Sequence, residues 1–255
     1  MSTLTFLGTG TSHGIPVIGC SCAVCTSTDE RNRRYRSSVL LEKEGFTLLI
    51  DTTPEFRLQA LRENLSTLDA LLYTHDHADH FNGIDDLRVF CNDRKLPVYG
   101  NQAVQHTIEH RFSYTIHSTK GGIPHLDMHL LAPGVAEQIG PFTVTAVPVL
   151  HGKQTIYGYR IDDVAYLTDC SEVPPESLAL LEDLTLLVVG ALRNWPHPNH
   201  YSVFEATALG KLLAPKAVYF THLSHHLDHQ ELEESLPASF RVAYDSLQLT
   251  VEEFL

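Results

Sequence analysis

The sequence predicts an α/β protein with layered sheets flanked by helices, forming one domain over residues 1–255. Three observations lead there. Short runs rich in Val, Leu, Ile, Phe and Tyr alternate with amphipathic stretches. The apolar runs cluster in both halves of the chain, with the amphipathic stretches between them. The 255 residues are 43% hydrophobic and carry no internal repeat, low-complexity stretch or obvious linker, so one sizeable core is expected.

Taken along the chain, residues 3–7, 38–41, 46–50, 70–73, 142–147, 164–167, 184–189 and 217–220 read as strands because β-branched, aromatic and leucine side chains dominate them. Residues 54–62, 101–111, 175–181 and 203–212 read as helices, and 230–235 as a short one. Pro54 and Pro175 stand where first-turn prolines belong. Residues 19–36 are polar and cysteine-rich and read as a long ordered loop that needs a staple. Its arginines, Arg31, Arg33, Arg34 and Arg36, read as a solvated face.

Composition narrows the function. A formal charge of −13 makes a general DNA or RNA binder a poor expectation. Bound divalent cations would offset that charge locally and hold an anionic substrate without a basic patch. No apolar run reaches the about 18 residues of a membrane span. The opening MSTLTFLGTG lacks a basic start and a long apolar stretch, so no secretory signal is expected and a cytoplasmic location is the default. Of five cysteines, Cys20, Cys22 and Cys25 fall within six positions, which points to metal ligation over a disulfide framework. Cys91 and Cys170 read as small buried residues.

The strongest signal is His75-Asp76-His77-Ala78-Asp79-His80, directly after the strand 70–73. An extended backbone points His75 and His77 the same way, and a turn can bring Asp79 and His80 to a second position. Imidazole and carboxylate suit zinc, manganese or iron. His151, Asp169 and His222 each follow a predicted strand, where α/β folds place their ligands. A carboxylate such as Asp169 can bridge two metals.

This order and spacing resemble the metallo-β-lactamase superfamily. The resemblance implies an αβ/βα sandwich, two mixed β-sheets face to face with helices outside. It implies that His75, His77 and His151 bind one divalent metal, that Asp79, His80 and His222 bind the other, and that Asp169 bridges them. Two such ions lower the pKa of a shared water and supply hydroxide near neutral pH. Lactamases proper usually carry cysteine at the bridging place; Cys170 is one position off, so antibiotic hydrolysis is not expected. Asp76 matches an aspartate that orients ligands and handles protons.

Cys20-x-Cys22-x-x-Cys25 after Gly8-Thr9-Gly10, with His225 three residues beyond His222, resembles one subgroup, the phosphoribosyl cyclic phosphodiesterases of phosphonate breakdown (the PhnP type). The resemblance implies a closed Cys₃His structural zinc held by Cys20, Cys22, Cys25 and His225. His226 and His229 are nearby competitors for the fourth place. His200, in an Asn-His pair, is the candidate general acid by the same resemblance. The stretch 190–198 departs from that subgroup; there Arg193 is a candidate clamp for phosphate or carboxylate and Trp195 a candidate stacking surface.

The expected function is a metal-dependent phosphodiesterase acting on a small cyclic phosphodiester, a sugar or nucleotide phosphate. The alternatives are a tRNA-processing nuclease, a thioester or lactone hydrolase, and a non-catalytic metal-binding carrier protein. All seven ligand positions are filled, which favours catalysis over the carrier. Relatives in this family commonly form homodimers, but no interface can be read from the sequence.

Overall fold

The computed structural model describes residues 2–91, 94–117 and 121–254. Its strands form two seven-stranded sheets. The first runs in the order β14 (Gln248–Thr250), β1 (Ser2–Gly8), β2 (Ser38–Lys43), β3 (Phe46–Ile50), β4 (Ala70–Leu72), β5 (Leu96–Gly100) and β6 (Leu126–Leu130). The second runs β13 (Phe240–Val242), β12 (Ala217–Thr221), β11 (Leu186–Gly190), β10 (Val164–Leu167), β9 (Gln154–Ile161), β8 (Phe142–His151) and β7 (Ala136–Ile139). The helices are α1 (Phe56–Arg62), α2 (Ala78–Phe81), α3 (Gln102–Arg111), α4 (Tyr114–His117), α5 (Pro175–Leu178), α6 (Val203–Leu213) and α7 (His229–Ser235).

The period-2 geometry of strands explains the layering. In β3, Leu48 and Ile50 face the second sheet while Leu49 faces α1, α2 and α3. In β11, Leu186 and Val188 face the first sheet while Leu187 and Val189 pack under α6 and α7. Strands covered on both faces read as unbroken apolar runs, as LLVVG does. Burying each such Leu or Val contributes about 1.5–3 kcal/mol. The result is helix, sheet, sheet, helix, with a central core between the sheets and one core beneath each helical layer.

Strands β3 to β6 are mutually parallel, as are β10 to β13, and β8 runs antiparallel to β9, which runs antiparallel to β10. The C-terminal ends of β3, β4, β8, β10 and β12 therefore open onto one edge of the sandwich. Among the described residues no helix is long and apolar enough to cross a membrane.

Three expectations are revised. Pro54 precedes the cap residue Glu55 and so lies outside α1, whereas Pro175 occupies the first turn of α5. The strand at 142 continues through Pro148 to His151. Pro148 is tolerated because β7 pairs only as far as Thr145, and the Leu150 N–H on the same edge bonds Glu172 O outside the ladder. Strands β5, β6, β7, β9, β13 and β14 have no counterpart in the sequence reading. Several are short or mixed in polarity, so their pairing came from neighbouring strands and not from an apolar pattern of their own.

Candidate metal centre

Seven side chains converge at that open edge. His75, His77 and His151 form one group, and Asp79, His80, Asp169 and His222 a second; within each, the potential ligand atoms lie within 4.8 Å of one another. His75 and His77 leave the end of β4 with ring centroids 4.5 Å apart, and His77 lies 5.0 Å from His151. His80 Nε2 is 3.3 Å from Asp79 Oδ2 and 3.0 Å from Asp169 Oδ1, and His222 Nε2 is 3.1 Å from the same Asp169 oxygen.

The outward nitrogens are fixed from behind. His80 Nδ1 donates to Asp51 Oδ2 at 2.8 Å. Thr74 Oγ1 donates to the same Asp51 oxygen at 2.8 Å, so it accepts from His75 Nδ1 at 2.9 Å. His151 Nδ1 donates to the carbonyls of Asp169 and Asn199 at 2.8 and 2.9 Å. Each of these tautomers leaves the Nε2 lone pair facing the cluster. His75 Nε2, His80 Nε2 and His222 Nε2 are buried without a hydrogen-bond partner, as metal-ligating atoms must be before they are satisfied. The donor set therefore fits a pair of divalent cations.

Charge points the same way. Burial works against a charged His80, but Asp169, Asp79 and Asp51 outweigh it and raise its proton affinity well above the ordinary histidine range. Burial opposes the charge on Asp169 too, yet His222 and His80 hold it well below the usual carboxylate range. The pocket is built to hold positive charge. Burial, then His80, push His75 well down, leaving it neutral as a ligand requires.

Three of these residues sit just past strand ends with left-handed backbones: Asp51 at φ 65°, Asp169 at φ 52° and His222 at φ 56°. For non-glycine residues this costs on the order of 1–2 kcal/mol each. Such a turn redirects the side chain from the sheet to its edge, and strain of this kind collects at functional sites.

Asp76 is not among the grouped ligand atoms; it accepts from Thr107 Oγ1 on α3 at 2.7 Å. His200 is brought in by its loop: Tyr201 N bonds Cys170 O at 2.6 Å, Leu192 N bonds Tyr201 O at 2.9 Å, and Ser202 with Glu205 forms a capping box that starts α6. His200 Nδ1 lies 3.7 Å from Asp169 Oδ2, and its ring stacks 4.9 Å from His222. Burial and the His222 imidazole push it down to about 3. Arg193 lies over the Trp195 ring and donates to the carbonyls of Trp195 and Pro196, so its guanidinium braces its own loop. Trp195 is half exposed and borders His226.

The three thiols meet His225. Its Nδ1 lies 3.3, 3.5 and 3.6 Å from Cys20, Cys22 and Cys25 Sγ. A tetrahedron with Zn–S near 2.3 Å and Zn–N near 2.0 Å has N–S edges of about 3.5 Å. The N–H groups of Cys25 and Val17 donate to Cys22 and Cys25 sulfur. The Cys25 N–H foremost lowers the Cys22 thiol to about 6. His229 lies elsewhere, edge-on to Tyr244, and His226 flanks His225 without joining the cluster.

The sequence reading missed two residues. Asp51 follows β3 as Asp169 follows β10, and that shared position was its only signal. Arg34 corrects the reading of a solvated arginine face: it is 1% exposed and donates to the carbonyls of Arg31, Ser224 and Leu227 and to Asn32 Oδ1. It thus pins the loop carrying His225 beneath the cysteine loop. The Gly8-Thr9-Gly10 signal has a packing cause. A Cβ on Gly8 would stand 2.0 Å from Arg36 O, and Thr9 and Thr11 pair with Leu223 beside His222.

Residues 47–223 match the Beta-lactamase superfamily domain. The chain is 42% identical to the crystal structure of a diphosphatase from the PhnP family, with a TM-score of 0.92 and 98% of each chain covered. It is 38% identical over 252 residues to an octanoyltransferase of Porphyromonas gingivalis, which covers 97% of this chain and 51% of that protein; the chain spans about half the length of that relative. A ribonuclease Z of Listeria innocua is 31% identical over 166 residues, 62% of this chain and 48% of its own.

Proposed function

The chain belongs to the β-lactamase superfamily, as a PhnP-like member, and from that premise we propose that it is a metal-dependent phosphodiesterase acting on small phosphodiesters, cyclic ones included. The observation that carries this reading is the convergence of seven ligand side chains in two groups, with Asp169 of the second also within ligand distance of His151 of the first, and with the Nε2 atoms of His75, His80 and His222 buried without partners. His75, His77 and His151 would hold one divalent ion, Asp79, His80 and His222 the other, and Asp169 both. Such a pair supplies hydroxide near neutral pH and offsets charge on phosphate oxygens; manganese, zinc and iron all suit this donor set.

The chain's own residues do the rest. Asp51 and Thr74 hold His80 and His75 in the ligating tautomer. His200 would protonate the leaving alkoxide. It is neutral in the free site, and the negative charge of a phosphate at its ring opposes both burial and His222, favouring the protonated form that an acid requires. Cys20, Cys22, Cys25 and His225 would hold a structural zinc that closes the cysteine loop onto the loop of His222. Three thiols used as zinc ligands, in place of a disulfide framework, fit a reducing, cytoplasmic setting. The acidic balance favours a small substrate over a nucleic acid.

The test is to load the protein separately with manganese and zinc and to assay bis(p-nitrophenyl) phosphate beside cyclic nucleotides, with His77→Ala and His200→Ala as variants. Turnover suppressed by both supports the reading and the acid role. Loss with His77→Ala alone removes His200 from the chemistry. No cleavage of any diester under either metal overturns the proposal. The similarity to a diphosphatase and to a ribonuclease Z recommends a diphosphate ester and a precursor tRNA as additional substrates.

A further inference from the structure

The chain has 16 histidines, and more than half lie outside the ligand groups already described. Among the described residues of that remainder, one pair stands ring against ring. His106 and His110 on α3 have centroids 3.8 Å apart and planes inclined by 34°. Even His75 and His77 of the metal centre stand further apart, at 4.5 Å. Four positions of sequence are about one helical turn, so both rings rise from one stripe of the helix. The opposite stripe, with Val104, Thr107 and Ile108, is buried, while His106 and His110 are exposed.

The helix also fixes a tautomer. His110 Nδ1 lies 2.8 Å from the His106 carbonyl, which can only accept. A neutral His110 therefore carries its proton on Nδ1 and offers the Nε2 lone pair. His151 is held the same way, its Nδ1 donating to backbone carbonyls behind it. Two histidines at this spacing on one helical face chelate a single ion in zinc enzymes. Glu109, the nearest carboxylate in sequence, accepts from Gln105 Nε2 at 2.7 Å. The pair thus offers two nitrogens, with water for the other positions. The helix beneath is anchored at both ends of the argument: Asn101 caps it through Val104 N at 3.0 Å, and Thr107, between the two histidines, bonds Asp76.

We infer that His106 and His110 form a further cation site, a solvent-facing two-histidine chelate for nickel, copper or zinc, separate from the seven-ligand centre and from the Cys₃His group. The inference goes beyond the phosphodiesterase reading and does not depend on it. Imidazole ligands suit these ions, and affinity rises from manganese through nickel to copper, so manganese is the ion this site should refuse. Two imidazoles tied by one turn of helix bind as a unit. Removing either leaves a single contact, about a hundredfold weaker.

The experiment titrates the zinc-loaded protein with nickel, above the ordinary histidine pKa of about 6.5. Calorimetry and elemental analysis of wild type should find one nickel per chain added to an unchanged zinc content. His106→Ala and His110→Ala should each weaken that step about a hundredfold. His13→Ala, which removes an exposed histidine of the N-terminal loop, should leave it in place. Manganese in place of nickel should add no ion. No added nickel in wild type, or a step that survives either substitution on α3, overturns the site. A second measurement needs no variant: traces of copper should broaden the imidazole proton resonances of His106 and His110 before those of the other exposed histidines. Broadening spread evenly over the exposed histidines overturns the chelate.

Discussion

Replacing Asp51 by asparagine isolates the part of the centre that touches no substrate. Asp51 is fully buried and accepts three hydrogen bonds: Thr74 N to Oδ1, and Thr74 Oγ1 and His80 Nδ1 to Oδ2, each at 2.8 Å. An asparagine that keeps its oxygen towards Thr74 N turns its NH₂ towards His80 Nδ1. That reverses the bond, ties the His80 proton to Nε2, and sets a fixed N–H at the atom whose lone pair a metal would need. The substitution also removes a negative charge beside the cluster and breaks the relay through Thr74 to His75. Loss of a partner behind a ligand typically lowers metal affinity 10–100-fold, or about 1.4–2.7 kcal/mol. Calorimetric titration of the metal-stripped protein with manganese should show one binding step weakened by that amount, at an unchanged far-ultraviolet spectrum. Asp51→Asn protein that binds both ions with wild-type affinity would refute the tautomer argument.

Two further perturbations test other parts of the molecule. Asp245 is buried against Thr9, Tyr35 and Arg62, and burial pushes it up from 3.8 to about 6. The folded state therefore binds this proton more tightly than the unfolded chain. The contribution of Asp245 is fully present below about pH 4, is lost as pH rises towards 6, and is then lower by roughly 3 kcal/mol. Urea unfolding of wild type against Asp245→Asn should give a stability difference that shifts in favour of the variant over that window; a pH-independent difference is the adverse result. His225→Ala removes the single nitrogen of the Cys₃His group, so elemental analysis should find one zinc fewer per chain and urea unfolding a lower midpoint. Equal zinc content would show that the thiols hold no ion through His225.

What could be read in advance was whatever the chain encodes locally. His75, His77, Asp79 and His80 are neighbours in sequence, so strand and turn geometry alone brings them close. The same holds for Cys20, Cys22 and Cys25, and for strands such as β3 and β10 whose runs are apolar on both faces. His151, Asp169, His222 and His225 were legible only through their order behind predicted strands and through a family resemblance. Tertiary structure decided the rest, because burial and hydrogen-bond partners join residues distant in sequence. Asp51 has no local signature; its role exists only where β3 and β4 lie side by side and His80 turns back over them. Arg34 shares a run with solvated arginines, yet it alone is closed over by carbonyls from residues 224 and 227, some 190 positions away. The sequence by itself determined which atoms could bind metal; the packing of two sheets determined which of their lone pairs face one another.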